Sequence, residues 1–200
     1  MTMPLGSTRR TVVAIRPLDE VRLTTARLAL RPLTSADAPA LQRHLSDHQV
    51  SRWLARVPYP YGLADAFAFV DHVRLAAIAG SAVTLGVTRR AAGDDVVGVV
   101  ALHGLDGLPE FGYWLGRAHW GQGLMTEAAG ALLAHAYGTL PIDEIVSGAF
   151  AGNDASLAIQ ARYGFVHEGR SRRQCLARGG LVDHVDTRLD RAGFRPPPAG

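Results

Sequence analysis

Residues Gly116 to Ala128 read GRAHWGQGLMTEA, and the chemistry they offer is anion binding. Gly121 and Gly123 stand just before an alanine-rich run with helical spacing. The first turn of a helix leaves amide donors unpaired and carries a partial positive charge, so it suits a pyrophosphate. Glycine at these positions removes the side chains that would keep phosphate oxygens from those amides. Met125, Ala128, Ala129, Leu132 and Ala136 then share one helical face, which anchors the loop to a sheet. A tight strand-to-helix turn with no ligand would use the same two glycines, so the loop alone does not decide.

Two nucleotide-binding readings fail. A dinucleotide fingerprint wants G-x-G-x-x-G/A with an acidic residue about twenty positions on. Asp143 and Glu144 lie near that distance, but the third glycine position is Thr126 and the acidic pair starts a strand instead of ending one. A Walker loop and a Schiff-base lysine both need lysine. All 21 basic residues are arginine.

The elements that position the loop follow from periodicity. RLALRPL alternates as a strand, SADAPALQRHL reads as a helix capped by Ser35, and ADAFAFVDHVRLAAIAG reads as a second helix ending at Gly80. AVTLGVTRR and VVGVVAL flank AAGDD as a hairpin, and EFGYWLG is a third strand leading into the loop. Helix 126–137, strand IVSGAF, helix DASLAIQARYG and strands FVHEGRSR and LVDHVDTRL complete the order. The expectation is an α/β domain around a mostly antiparallel sheet of about seven strands with about four helices. Residues 1–23 read as a loosely attached extension with a possible strand at 12–16, and 195–200 as a disordered tail.

Composition narrows the function classes. A formal charge of +3 is too mild to imply nucleic acid, and no apolar run approaches a membrane span. Cys175 is the only cysteine, so an intrachain disulfide and a CxxC metal site are excluded. With no signal-peptide core before Arg16, a cytoplasmic protein is expected. No HExxH spacing occurs, and His44 and His48, at i and i+4, read as a surface pair on one helix, so no metal is expected.

EFGYWLGRAHWGQGLMTEAAGALLAHAY, then NDASLAIQARYGFVHEGRSR and GGLVDHVDTRL, together resemble the GNAT N-acetyltransferases. The likeness is greatest to the branch that holds the ribosomal-protein N-terminal (RimJ/RimL-type) enzymes, and it runs over residues 24–194, with LTTARLALRPLTSADAPAL as that branch's opening. It implies a splayed GNAT sheet, acetyl-CoA as cofactor and an amine acceptor on a small molecule or a protein N-terminus. It also implies that His119, Trp120, Gly121, Gln122, Gly123, Leu124, Met125 and Thr126 bind the pyrophosphate, chiefly by their amides. The family loop commonly opens with Gln or Arg where this chain has Ala118, with Arg117 one place early. A contact that depends on backbone amides survives that change.

Acetyl transfer needs a deprotonated amine, a polarised carbonyl and a stabilised thiolate. Alkyl ammonium ions have pKa values near ~10.4 and α-amines near ~8, so a base must help. Glu110, on the strand face shared with Gly112 and Trp114, is the first candidate base; a solvated strand carboxylate is the alternative. Glu168 is the second candidate, against an ion pair with Arg170. Gly112 suggests a bulge or close approach, and the resemblance implies that Tyr113, Trp114 and Leu115 offer backbone groups to pantetheine as an added strand. The side chains of Trp114 and Trp120 read as core. Asn153 and Ser156 form N-x-x-S, ordinary capping chemistry that the family uses for the pantetheine arm and the leaving sulfur. Many members place a tyrosine acid where this chain has Gln160, so Ser156 takes that role or the thiolate leaves unassisted.

Trp53, Tyr59, Tyr61 and Phe67 either wall an acceptor pocket or belong to the core. With no reactive cysteine near the loop, direct transfer in a ternary complex is expected. A non-catalytic acyl-CoA-binding regulator with the same fold is the alternative.

Overall fold

The computed structural model describes residues 17–197. Eight strands form one sheet: β1 (Leu23–Thr24), β2 (Leu28–Pro32), β3 (Ala82–Arg89), β4 (Val96–His103), β5 (Glu110–Leu115), β6 (Glu144–Phe150), β7 (Val166–Cys175) and β8 (Gly180–Asp190). Their order is β1-β2-β3-β4-β5-β6-β8-β7. Every neighbouring pair is antiparallel except β5 and β6, which run parallel and meet only at Glu110 and Val146. The expected class holds, with β1, a two-residue strand, as the eighth.

Five α-helices complete the fold: α1 (Ala38–Leu45), α2 (His48–Ser51), α3 (Leu63–Ile78), α4 (Leu124–Thr139) and α5 (Asp154–Arg162). α1 to α3 pack with Leu41, Leu45, Val50, Val70 and Val73 against Val96 and Val99 of β4. α4 presents Leu124, Leu132 and Leu133, all at most 2% exposed, to a larger core with Leu30, Leu85 and Leu102. Each such leucine contributes about 1.5–3 kcal/mol of burial, which fixes the helix and the loop ahead of it.

Three local expectations are corrected. The cap of the first helical segment is Thr34, not Ser35, with the Asp37 carboxylate accepting from Thr34 N at 2.7 Å and from Arg31 through both of its oxygens. His44 and His48 sit on different helices, α1 and α2, and both are half-buried rather than on one exposed face. In the segment read as a loose extension, Leu18 and Val21 are buried in the main core. The possible strand at 12–16 and residues 198–200 of the tail lie outside the described residues.

Candidate active site

Beyond Glu110 and Val146 the two parallel strands part, and a cleft of about 880 Å³ opens between them. β5 and β6 form its walls. The glycine loop and the start of α4 close one end, and Trp53–Ala55 with Arg173 and His184 frame the other; the start of α5 also lines it.

The phase of the β4–β5 ladder decides which backbone groups face this cleft. Gly116 N donates to Val97 O at 2.8 Å, so in this antiparallel register Val99–Trp114 and Ala101–Gly112 also bond within the sheet. Phe111, Tyr113 and Leu115 therefore turn their backbone groups toward the parted side. Two of these are already engaged: Ser147 Oγ donates to Phe111 O at 2.8 Å, and Trp120 Nε1 donates to Leu115 O at 2.7 Å. What stays open is the amide and carbonyl of Tyr113 and the amide of Leu115. The expected backbone role of Trp114 is corrected accordingly, because its amide and carbonyl face β4; its half-buried indole packs against the α1–α3 core, with the His44 ring at 6.3 Å, in line with the core expectation. The core reading of Trp120 is also corrected. The residue is 43% exposed, and its indole acts as a hydrogen-bonded strut.

At the loop, Gly121 and Gly123 have φ of +72° and +69°, left-handed values that favour glycine. Nothing lies within 4 Å of a Cβ built on Gly121, so the concavity before α4 is open. Leu124 and Met125 are buried, leaving only their amides for an anion, as expected of a helix start. Thr126 O accepts from the Tyr163 hydroxyl at 2.6 Å. The Gln122 carboxamide donates to Ala118 O, bracing the loop. His119 is half-buried and packs edge-on to His44; burial, aided by Arg89, holds its pKa below the ordinary histidine value.

Sequence reasoning missed Arg27. Its Nη1 donates to Gln122 O at 2.8 Å and its Nε pairs with Glu127 of α4 at 2.6 Å. Glu127 also accepts from Thr25 Oγ1 and Arg27 N. Burial alone would raise the Glu127 pKa, but these bonds outweigh it and lower it. An arginine remote in sequence thus stands at the glycine loop.

At the start of α5, Asn153 Oδ1 accepts from Ser156 N at 3.3 Å, the capping role. The Tyr113 hydroxyl donates to Ser156 O at 2.9 Å and lies 3.0 Å from Ser156 Oγ. Gln160, fully buried, donates to Gly148 O and to Ser156 Oγ and accepts from Thr187. Gln160 thus donates to the Ser156 oxygen from one side and, with the Tyr113 hydrogen given to Ser156 O, the Ser156 hydroxyl donates to the Tyr113 oxygen at 3.0 Å. Burial pushes the Tyr113 phenol up to about 12. A thiol near ~8.5 is a much stronger acid, so Tyr113 does not give its proton to a thiolate.

The other end holds a chain of charged groups. Arg173 Nη1 donates to Glu110 Oε1 at 2.8 Å and its Nη2 to Asp186 Oδ1 at 3.1 Å. Asp186 Oδ1 also accepts from Ser171 Oγ at 3.1 Å and pairs with His184 Nδ1 at 2.9 Å. Glu110 Oε2 faces Arg56 at 3.9 Å. Glu168 is outside the cleft and pairs with Arg188, not Arg170. Among the four aromatic candidates only Trp53 lines the cleft, with the Arg52 guanidinium over its ring; Tyr61 is core, and Tyr59 and Phe67 are exposed. Cys175 is fully buried, its thiol directed at Arg52 O and Leu54 O, and it does not line the cleft. Among the described residues no group of three or more His, Cys, Asp or Glu is arranged to hold a metal ion, and no helix is long and apolar enough to cross a membrane.

A parted β5–β6 pair beside a glycine loop at a helix start suits an extended ligand that carries an anionic group, and comparison with known proteins gives the family. Residues 27–166 match the family described as acetyltransferase (GNAT) domain, and the chain belongs to that family. It is an N-acetyltransferase of GNAT type. The uncharacterized N-acetyltransferase p20 of Bacillus licheniformis is 28% identical over 164 residues, which span 80% of this chain and 91% of that protein. In fold, the chain resembles Mycobacterium smegmatis RimJ, solved in complex with CoA-disulfide (TM-score 0.72, 21% identity, 82% of this chain and 81% of that one). It also resembles the ribosomal-protein-S5-alanine acetyltransferase of Vibrio fischeri (TM-score 0.75, 17% identity, 88% and 100%).

Proposed function

We propose that this chain moves the acetyl group of acetyl-CoA onto a primary amine, on a protein N-terminus or a small molecule, by direct transfer while both substrates are bound. The observation that carries this reading is the set of unpaired backbone groups at Tyr113 and Leu115. They lie between an open anion-binding loop and a cluster of ionisable side chains.

The residues present fit the cofactor. The amides ahead of α4 suit the pyrophosphate, and Tyr113 and Leu115 suit the amides of the pantetheine arm. A backbone donor in this strand also suits polarisation of the acetyl oxygen. Glu110 Oε2 is free to accept a hydrogen bond from the amine or from a water that leads to it, since Oε1 is engaged by Arg173. Ser156 suits the departing sulfur. The seclusion of Cys175 supports direct transfer over a covalent acetyl-enzyme.

The likeness to RimJ and to an S5-alanine acetyltransferase makes protein N-termini the first acceptors to try. The test is a panel of amine classes (N-terminal peptides, polyamines, amino acids, aminoglycosides) with acetyl-CoA, read as CoA thiol release. Thiol release with at least one class, and intersecting initial-velocity lines, is the expected result. Acetyl-CoA binding with no release from any amine would instead support a non-catalytic acyl-CoA-binding protein.

A further inference from the structure

We propose that His184 Nε2 is the proton acceptor for the incoming ammonium, oriented by Asp186 and coupled through Arg173 to Glu110. The inference rests on the acetyltransferase reading above and adds the residue that moves the proton.

Three observations converge on this histidine. It lines the cleft and is linked through Asp186 and Arg173 to Glu110, at the end of β5 remote from the glycine loop. Its Nδ1 lies 2.9 Å from Asp186 Oδ1, a carboxylate that can only accept, so Nδ1 carries the hydrogen and Nε2 carries the lone pair. Nε2 has no hydrogen-bond partner among the described residues and keeps a small solvent-accessible area. The ring is also well held. The Phe150 ring meets it edge to face at 5.6 Å, and Gly148 makes room for it, since a Cβ there would collide with Cε1 and fall 3.0 Å from Nε2. A glycine on the parted strand β6 thus lets an imidazole from β8 reach the cleft.

Glu110 is less suited to the same task. One of its oxygens is bound by Arg173 and Arg56 lies 3.9 Å from the other, so an arriving ammonium would compete with a guanidinium at each. The charged groups facing His184 are Asp186 on its own strand, Arg173 from β7 and Glu110 from β5; the β6 residues against it, Gly148 and Phe150, carry no charge. Burial and then Arg173 disfavour the imidazolium more than the two carboxylates favour it, so His184 is neutral at pH 7 and ready to accept.

The step balances without another reactant. The acceptor ammonium gives one proton to Nε2, and its freed lone pair forms the N–C bond to the thioester carbonyl carbon. Collapse of the tetrahedral adduct breaks the C–S bond, with the electron pair leaving on sulfur. The second nitrogen-bound proton passes to that sulfur, helped by the Ser156 hydroxyl, and the imidazolium returns its proton to solvent. One ammonium and one thioester give one amide, one thiol and one proton.

The experiment uses the full chain with the best amine of the panel. His184→Gln is expected to lower kcat about 10²-fold or more, the usual weight of a general base. It should leave acetyl-CoA affinity, read by calorimetry as the folding control, unchanged. Wild-type kcat/KM should carry an acid limb below the ordinary histidine value of about 6.5. That limb should be lost in His184→Gln and moved in Asp186→Asn. Long-range proton–nitrogen NMR of wild type should show the neutral Nδ1–H tautomer. A His184→Gln enzyme within about threefold of wild type, with its acid limb intact, overturns the assignment while the transferase reading stands. An Nε2–H tautomer overturns it whatever the activity. If wild type acetylates no amine at all, the transferase reading fails and takes this assignment with it.

Discussion

The two ends of the cleft are built from different materials. The glycine-loop end presents backbone: the amides ahead of α4, with Gly121 and Gly123 in left-handed conformation. The opposite end presents side chains: Glu110, Arg173, Asp186 and His184, drawn from three strands and joined by bonds of 2.8 to 3.1 Å. The first end needs only the correct chain path, so it depends little on the side chains of the loop. The second depends on the identity of every member, because removing one leaves a neighbour's charge or lone pair unpaired.

Substitutions at the two ends should therefore separate. The largest effect is expected at Gly148→Ala, where the new methyl collides with His184 Cε1 and Val185 O. Transfer should fall about 10²-fold as the imidazole is displaced, with about 1–3 kcal/mol lost from denaturant unfolding. Next comes Gly123→Val at the loop. A non-glycine residue in left-handed conformation costs about 1–2 kcal/mol, so acetyl-CoA should bind about tenfold more weakly by calorimetry. The pH dependence of wild-type binding should differ from that of transfer: acetyl-CoA affinity stays flat where kcat/KM falls below the His184 acid limb. Arg27→Ala should weaken acetyl-CoA about three- to fivefold, the scale of a partly exposed charge at the helix start, with kcat little changed at saturating acetyl-CoA. Ser156→Ala is the smallest, about threefold in kcat, because it removes one hydrogen bond to the leaving sulfur.

The same division explains which parts of the site are legible in the sequence. Gly121 and Gly123 are legible because a backbone requirement imprints itself on local sequence, and the placing of Glu110, Gly112 and Trp114 on one face follows from strand alternation. Strand phase is the limit of that argument. Alternation places the side chains but not the hydrogen-bonding direction, so nothing in it corrects the role that the family resemblance implies for the Trp114 backbone, which the β4 ladder consumes. His184 and Asp186 give no local signal. In LVDHVDTRL they look like the polar half of an ordinary strand, and their partners Arg173 and Glu110 lie on other strands. Arg27 is hidden similarly, about a hundred positions from the loop it braces. Trp120 misleads because a large aromatic is usually core; here its N–H is what matters.

The claim that one end of the cleft binds while the other moves a proton is tested most directly by a paired measurement. Acetyl-CoA Kd and single-turnover transfer rate would be determined side by side for Gly123→Val and His184→Gln. Gly123→Val should weaken Kd yet transfer near the wild-type rate once saturated, whereas His184→Gln should keep the wild-type Kd and transfer about 10²-fold more slowly. Two variants that shift Kd and rate together, or a His184→Gln enzyme that transfers at the wild-type rate, would contradict that division.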